Sequence, residues 1–156
     1  MEQVTRHSKE RQTVVFQLGR ESYGVEITTV REIITMQPVT PVPRAPAHVR
    51  GIINLRGRVI PVVDLRKLLG LAESETGRDT RIMVVEVESR TVGCIVDAVK
   101  EVLTINDEVV EPPTGATGAD GAYLEGIAKL GDNLVILVNL VKVLGSTGDG
   151  GLGQAG

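Results

Sequence analysis

GIINLRGRVIPVVDLRKLLG, residues 51–70, returns as GIAKLGDNLVILVNLVKVLG, residues 126–145. Aligned without a gap at an offset of 75, the two 20-residue stretches share eight identities. Three of these are not aliphatic: Gly51 with Gly126, Lys67 with Lys142, and Gly70 with Gly145. A second match lies upstream, where YGVEITTVREII (23–34) aligns with VGCIVDAVKEVL (92–103) at an offset of 69. There Gly24, Val30 and Glu32 recur as Gly93, Val99 and Glu101, and Arg31 becomes Lys100. Two blocks repeated in the same order make the chain an internal duplication, with units of roughly 13–79 and 80–145. The six residues by which the offsets differ fall near Pro112–Gly121, whose prolines and glycines read as a loop.

Each unit reads as short strands with two helical turns. Val14, Phe16 and Leu18 alternate with polar neighbours, as in a half-buried strand. Glu21 to Val25 follows as its hairpin partner across Gly19-Arg20. Ile27, Val30, Ile33 and Ile34 have helical spacing and predict one or two helical turns. Gly51–Leu55 and Arg58–Val63 form a second predicted hairpin across Arg56-Gly57. Asp64 has the position of an N-cap for a helix over Leu65–Leu69 that Gly70 stops, and the second unit offers Asn139 and Gly145 for the same roles. A barrel built from one unit of roughly 60 residues buries too little surface to be comfortable alone. Two such barrels are therefore expected to pack together, mainly β, with a pseudo-twofold relation and a shared apolar layer.

Composition bounds what such a protein does. The chain has 156 residues, is 42% hydrophobic and 24% charged, and so is globular in class. Aromatic residues make up only 2% and the net charge is −3, which disfavours nucleic-acid binding, since that needs a basic surface and stacking platforms. The polar N-terminus has no apolar signal-peptide core, and the apolar runs are strand-length, so membrane insertion is not expected and a cytoplasmic location is. A single cysteine, Cys94, cannot form an internal disulfide and suits a reducing compartment. Residues 1–12 and the glycine-rich stretch 146–156 are expected to be flexible tails.

No reactive constellation is legible. There are two histidines, His7 and His48, and one cysteine, which leaves no metal-ligand spacing, and no metal or cofactor is expected. Cys94 lies in an apolar strand pattern, the setting of a buried inert thiol. Asp64 has a sufficient role as a cap. The glycines of Gly115–Gly121 lack the lysine and hydroxyl ending of a phosphate loop. Pro38, Pro41, Pro43 and Pro46 fit a stiff extended crossover. What remains is an asymmetry: Arg56-Gly57-Arg58 stands at a hairpin tip where the second unit has Gly131-Asp132-Asn133. Glu32 is a plausible charged partner for Arg56. An exposed pair of that kind is worth only ~0–1 kcal/mol, so recognition explains it better than stability. A barrel-shaped hydrolase would need a convergent cluster of acids and bases that the sequence does not supply.

From about Thr13 to Leu144 the sequence resembles the CheW family, the coupling proteins of bacterial chemotaxis. The resemblance rests on VVFQLGRESYGVEITTVREI, on Asn54-Leu-Arg-Gly57, on Ile60-Pro-Val-Val-Asp-Leu65, on Gly93–Leu103 and on Leu134–Leu140. It implies two intertwined five-stranded SH3-like barrels without enzymatic activity. It also implies two partners, the cytoplasmic helical tip of chemoreceptors and the regulatory domain of the histidine kinase CheA. The positions that match the family's receptor-facing residues are Val30, Glu32, Gly51, Asn54, Arg56 and Val102, with Arg56 and Glu32 as a charged pair. The kinase-facing surface is implied to be apolar strand edge at the barrel ends. A CheW-like adaptor of a different two-component pathway is the alternative. His48 departs from the family's aromatic or aliphatic residue at its position.

Overall fold

The computed structural model of the chain describes residues 9–72, 75–112 and 123–148. The first unit runs β1 (Glu10–Leu18), β2 (Glu21–Glu26), a 3₁₀ turn (Ile27–Thr29), β3 (Val30–Thr35), β4 (Val49–Leu55), β5 (Arg58–Asp64) and α1 (Leu65–Leu68). The second runs β6 (Arg81–Val87), β7 (Arg90–Val96), β8 (Ala98–Asn106), a 3₁₀ turn (Asp107–Val109), β9 (Val110–Glu111), β10 (Leu124–Leu130), β11 (Asn133–Val138) and α2 (Leu140–Gly148).

These strands form two sheets, one in the order β8-β1-β2-β11-β10-β9 and one in the order β3-β6-β7-β5-β4. The units of sequence are therefore not the units of space. β1 and β2 of the first unit join the later strands of the second, while β6 and β7 join β3, β4 and β5. The expected division at residues 79/80 is corrected accordingly: each barrel takes strands from both sides of it. The duplication survives the exchange. β2 meets β11 in parallel with Gly24 opposite Leu137, and β7 meets β5 in parallel with Gly93 opposite Val62. These are the same pairings carried forward by the two sequence offsets. β9 makes the first sheet six-stranded; its counterpart in the other sheet is the isolated bridge between Thr40 and Ile52.

The exchange explains the burial pattern. Phe16, Leu18 and Val25 from one sheet pack with Met83, Val85 and Cys94 from the other, joined by Leu65, Leu140 and Leu144 from the helices. This is the shared layer. Val15, Ile105, Ala128, Val135 and Leu137 fill the six-stranded barrel, and Ile53, Ile60, Val62, Ile82, Val84 and Ile95 fill the other. β1 and β6 are thus buried on both faces, so β1 is not the half-buried strand that its alternation predicts: Val15 is as buried as Val14.

Two other expectations change. Only Ile27–Thr29 is helical in the segment predicted as helical turns; Val30–Thr35 is strand. A β-bulge between Val30 and Glu32 inserts Arg31, and that extra residue breaks the period of two and imitates a helical spacing. The second unit repeats the irregularity, with Lys100 omitted from the pairing between Val99 and Glu101. Asp64 caps α1 as predicted, its Oδ1 accepting from the Arg66 and Lys67 amides at 3.0 and 3.4 Å. In α2, Asn139 Oδ1 accepts from the Lys142 amide at 3.1 Å, but the helix continues through Gly145 to Gly148 instead of stopping there. The predicted loop around Pro112–Gly121 lies almost wholly outside the described residues, as do residues 1–8 and 149–156 of the predicted tails; Glu10–Gln12 already belong to β1.

Candidate functional site

The hairpin of β4 and β5 ends with Leu55 paired to Arg58, leaving Arg56 and Gly57 as a two-residue turn. Both have left-handed backbones, φ 52° and 88°, the geometry that matches strand twist in tight hairpins. For the non-glycine Arg56 this conformation is unfavourable by roughly 1–2 kcal/mol. Asn54 helps hold it, its Oδ1 accepting the Gly57 amide at 2.8 Å. The turn chemistry of Asn54 to Gly57 thus fixes where the Arg56 side chain begins.

Arg56 forms an ion pair with Glu32. Because β3 and β4 are the first and last strands of their sheet, this pair spans the open seam of the five-stranded barrel. Around it lies a mouth of about 300 Å³ lined by Arg31, Glu32, Leu55, Arg56, Arg58, Ile60, Val84 and Thr91. Arg31 pairs with Glu86, and Arg58 Nη2 donates to Thr91 Oγ1 at 3.3 Å. The Arg56 side chain is 68% exposed, so the clasp adds little to stability and keeps its charge available to a partner.

The structure brings Glu32 and Arg56 together at this mouth, while Asn54 holds the turn and faces a different surface hollow, beside Ile52 and Val59. Val30 opens β3 two residues before Glu32 and is half-buried against the shared layer. Val102 lies on β8 in the other sheet, 52% exposed. Gly51 is buried at the far end of β4: a Cβ there would stand 2.1 Å from the Thr40 carbonyl oxygen. Its absent side chain lets the proline-rich crossover approach, with Thr40 and Ile52 exchanging two 2.9 Å backbone hydrogen bonds. Gly126 does the same for Glu111, whose carbonyl oxygen lies 2.8 Å from the corresponding Cβ position. Gly51 is thus placed to position the chain.

Several features were not read from the sequence. Exposed aliphatic residues occur in twins: Ile33 (40%) with Val102, and Val59 (64%) with Leu134 (55%), each related by a repeat offset. The repeat alignment carries that signal once exposure is known. Arg66 joins Asp97, a pair whose equivalents, Val141 and Thr28, cannot form it. Mismatched equivalents of this kind are visible in the sequence. Cys94 is fully buried, which pushes its thiol up to about 12 and leaves it unreactive near neutrality. His48 Nε2 is buried without a hydrogen-bond partner, and burial lowers the imidazole pKa, favouring the neutral ring. No helix among the described residues is long and apolar enough to cross a membrane.

The CheW-like domain family model matches residues 12–148. A chemotaxis protein CheW of Rhizobium meliloti is 39% identical over 137 residues, spanning 87% of this chain and 88% of the relative. One of Treponema pallidum is 37% identical over 140 residues, 86% and 82% of the two chains. The crystal structure of the scaffolding protein TtCheW from Thermoanaerobacter tengcongensis superposes with a TM-score of 0.81 at 40% identity, covering 90% of this chain and 96% of that one.

Proposed function

The chain belongs to the CheW-like domain family, and from that premise we propose that it is a non-enzymatic chemotaxis adaptor that couples the cytoplasmic tips of chemoreceptors to the histidine kinase CheA. The observation that carries the reading is the one-sided clasp. Two equivalent barrels have equivalent cores, yet only one presents an arginine tip paired across its seam. The charge difference at this exposed turn serves recognition, since the pair contributes little to folding.

In this reading an amphipathic receptor hairpin lays its apolar face along the surface that includes Val30 and Val102. Arg56 and Glu32 set its orientation. Gly51 and Asn54 act by holding the crossover and the turn in place. The exposed twins Val59 and Leu134 supply apolar strand surface of the kind a matching barrel in the kinase regulatory domain packs against. The chain works in the cytoplasm and reaches the inner face of the membrane through receptors.

The test is co-sedimentation of the purified chain with a soluble receptor cytoplasmic fragment and with the isolated kinase regulatory domain, separately and together. Capture by both, and a complex containing all three, supports the adaptor reading. Capture by neither ends it.

A further inference from the structure

Each helix reaches across to the barrel it does not belong to. α1 follows β5 of the five-stranded sheet, yet its Arg66 meets Asp97 and lies beside Gly19 in the β1–β2 turn of the other sheet. α2 follows β11 of the six-stranded sheet, and a Cβ on its Gly145 would stand 3.6 Å from the carboxylate of Glu88 in the β6–β7 turn. Gly19 and Glu88 are repeat equivalents, with left-handed φ values of 66° and 52°. The helices are thus two related straps over the junction, and they are tied differently. At the α1 strap the Asp97 carboxylate accepts from the Gly19 amide at 2.6 Å and from Arg66 Nε at 3.2 Å. The Asp97 amide donates to the Gln17 carbonyl at 2.9 Å, and Arg66 also donates to the Ala72 carbonyl. At the α2 strap the equivalent side chains are Val141, which has no donor, and Thr28, which has no charge. A hollow of about 260 Å³ lies there, with Val25, Glu26, Thr29, Val138, Leu140 and Val141 in its walls.

We propose that α2 is a releasable strap: together with the Glu26–Val30 crossing it leaves the shared layer as one unit, ahead of global unfolding, while the crossing at Asp97 stays closed. The inference rests on the fold and not on the adaptor reading. What holds α2 down is aliphatic. Leu140, Val143 and Leu144 are buried in the shared layer, and packing of that kind has no preferred direction. Asn139 anchors the first turn through the Lys142 amide and Glu125, but not the Val141 face that shares the hollow with Thr29. A nine-residue helix is not stable without its packing, so α2 is released whole and not turn by turn. α1 is held by charge-assisted hydrogen bonds, the stronger and more directional kind. Local opening follows the weaker of the two straps. Opening on one side gives the platform a hinge, with the barrels tilting about Asp97 without parting.

The experiment is native-state hydrogen exchange of the full chain over a series of low urea concentrations, resolved by amide. Wild type is compared with Thr28→Asp, Val141→Arg and the double variant, which copies the Asp97–Arg66 tie onto α2. In wild type the Val143 and Leu144 amides, and the Val30 amide that bonds to Ile27, should open together. Their exchange is expected to be about tenfold or more faster than that of Met83 and Val84 in β6, with a shallower urea dependence. The Asp97 amide should follow β6. The double variant should slow the Val30 and α2 amides about tenfold relative to β6, and neither single change should. Arg66→Ala is the reverse case: it should move the Asp97 amide into the fast group and leave α2 as it is in wild type. Exchange of α2 at the rate and urea dependence of β6 in wild type overturns the proposal. So does separate opening of Val30 and α2, or a double variant whose α2 exchanges as in wild type, or an Asp97 amide unmoved by Arg66→Ala. No partner enters the measurement, so each of these outcomes leaves the adaptor reading untouched.

Discussion

The Arg66 guanidinium reaches Asp97 at the junction of the two barrels, with Nε 3.2 Å from Oδ1. Asp97 lies between β7 and β8, where the chain leaves the five-stranded sheet for the six-stranded one, and its Oδ2 also accepts the Gly19 amide at 2.6 Å. One carboxylate thus ties α1, the β1–β2 turn and the crossing strand together. At the other crossing Val141 and Thr28 occupy the equivalent places, so the platform is latched on one side.

Removing the latch destabilises the fold. Arg66→Ala is expected to lose roughly 1–2 kcal/mol, the lower part of the range for a charge-assisted hydrogen bond, because the Asp97 left behind is only partly buried. Burial alone would raise the Asp97 pKa, but hydrogen bonds from Arg66 and Gly19 outweigh it and hold the carboxyl below its usual range. A lowered folded-state pKa gives stability that is fully present above the unfolded value, about 4, and is lost as pH falls through the folded value. Urea unfolding of wild type and Arg66→Ala should therefore differ at pH 7 and converge below about pH 3. A difference independent of pH would refute the ionic role.

Gly51 and Gly57 separate close approach from turn geometry. Nothing lies within 4 Å of a Cβ placed on Gly57, whose φ is 88°, so Gly57→Ala should lose only about 1 kcal/mol, from the left-handed backbone. Gly51→Ala drives its methyl into the Thr40 carbonyl and should lose about 2–4 kcal/mol, with faster amide exchange at Thr40 and Ile52. Equal losses from the two substitutions would remove the positioning role given to Gly51.

The two helix caps predict a charge-dependent exchange. Asp64 faces Arg50 at 3.4 Å, whereas Asn139 donates to Glu125 at 3.2 Å, and Glu125 is the repeat equivalent of Arg50. Asn139→Asp keeps the capping oxygen but sets a second carboxylate against Glu125, so it should destabilise by about 1 kcal/mol. Adding Glu125→Arg recreates the Asp64–Arg50 pairing but gives up the 3.3 Å ion pair of Glu125 with Arg11, so it should recover only part of that loss in thermal melts. No recovery would mean that the two ends are not equivalent.

The hairpins, the Asp64 cap and the two-barrel architecture were legible because each depends on local chemistry: Arg56-Gly57 is a turn wherever it sits, and Asp64 precedes an apolar helical run. The exchange of strands came only from the family resemblance, which implies intertwined barrels, and not from the residue pattern, since Gly24 matches Gly93 at the same offset whether β2 pairs within its own unit or with β11. The bulge at Arg31 hid β3 behind a helical period. The candidate site was half legible. The tip asymmetry pointed to Arg56, and its resemblance-based partner Glu32 meets it across the seam. That Gly51 is buried beneath Thr40, and that Val102 belongs to the opposite sheet, depend on tertiary packing that no residue spacing encodes.

The central claim is that the Glu32–Arg56 clasp serves recognition and not folding. Arg56→Glu, Glu32→Arg and the double exchange, each titrated with a receptor cytoplasmic fragment beside a thermal melt, test it most directly. The account predicts melts close to wild type for all three, since an exposed pair is worth ~0–1 kcal/mol. It also predicts binding weakened about tenfold or more by either single change and partly restored by the double one. Undiminished receptor binding in both single variants, or loss of the folded state in either, would contradict it.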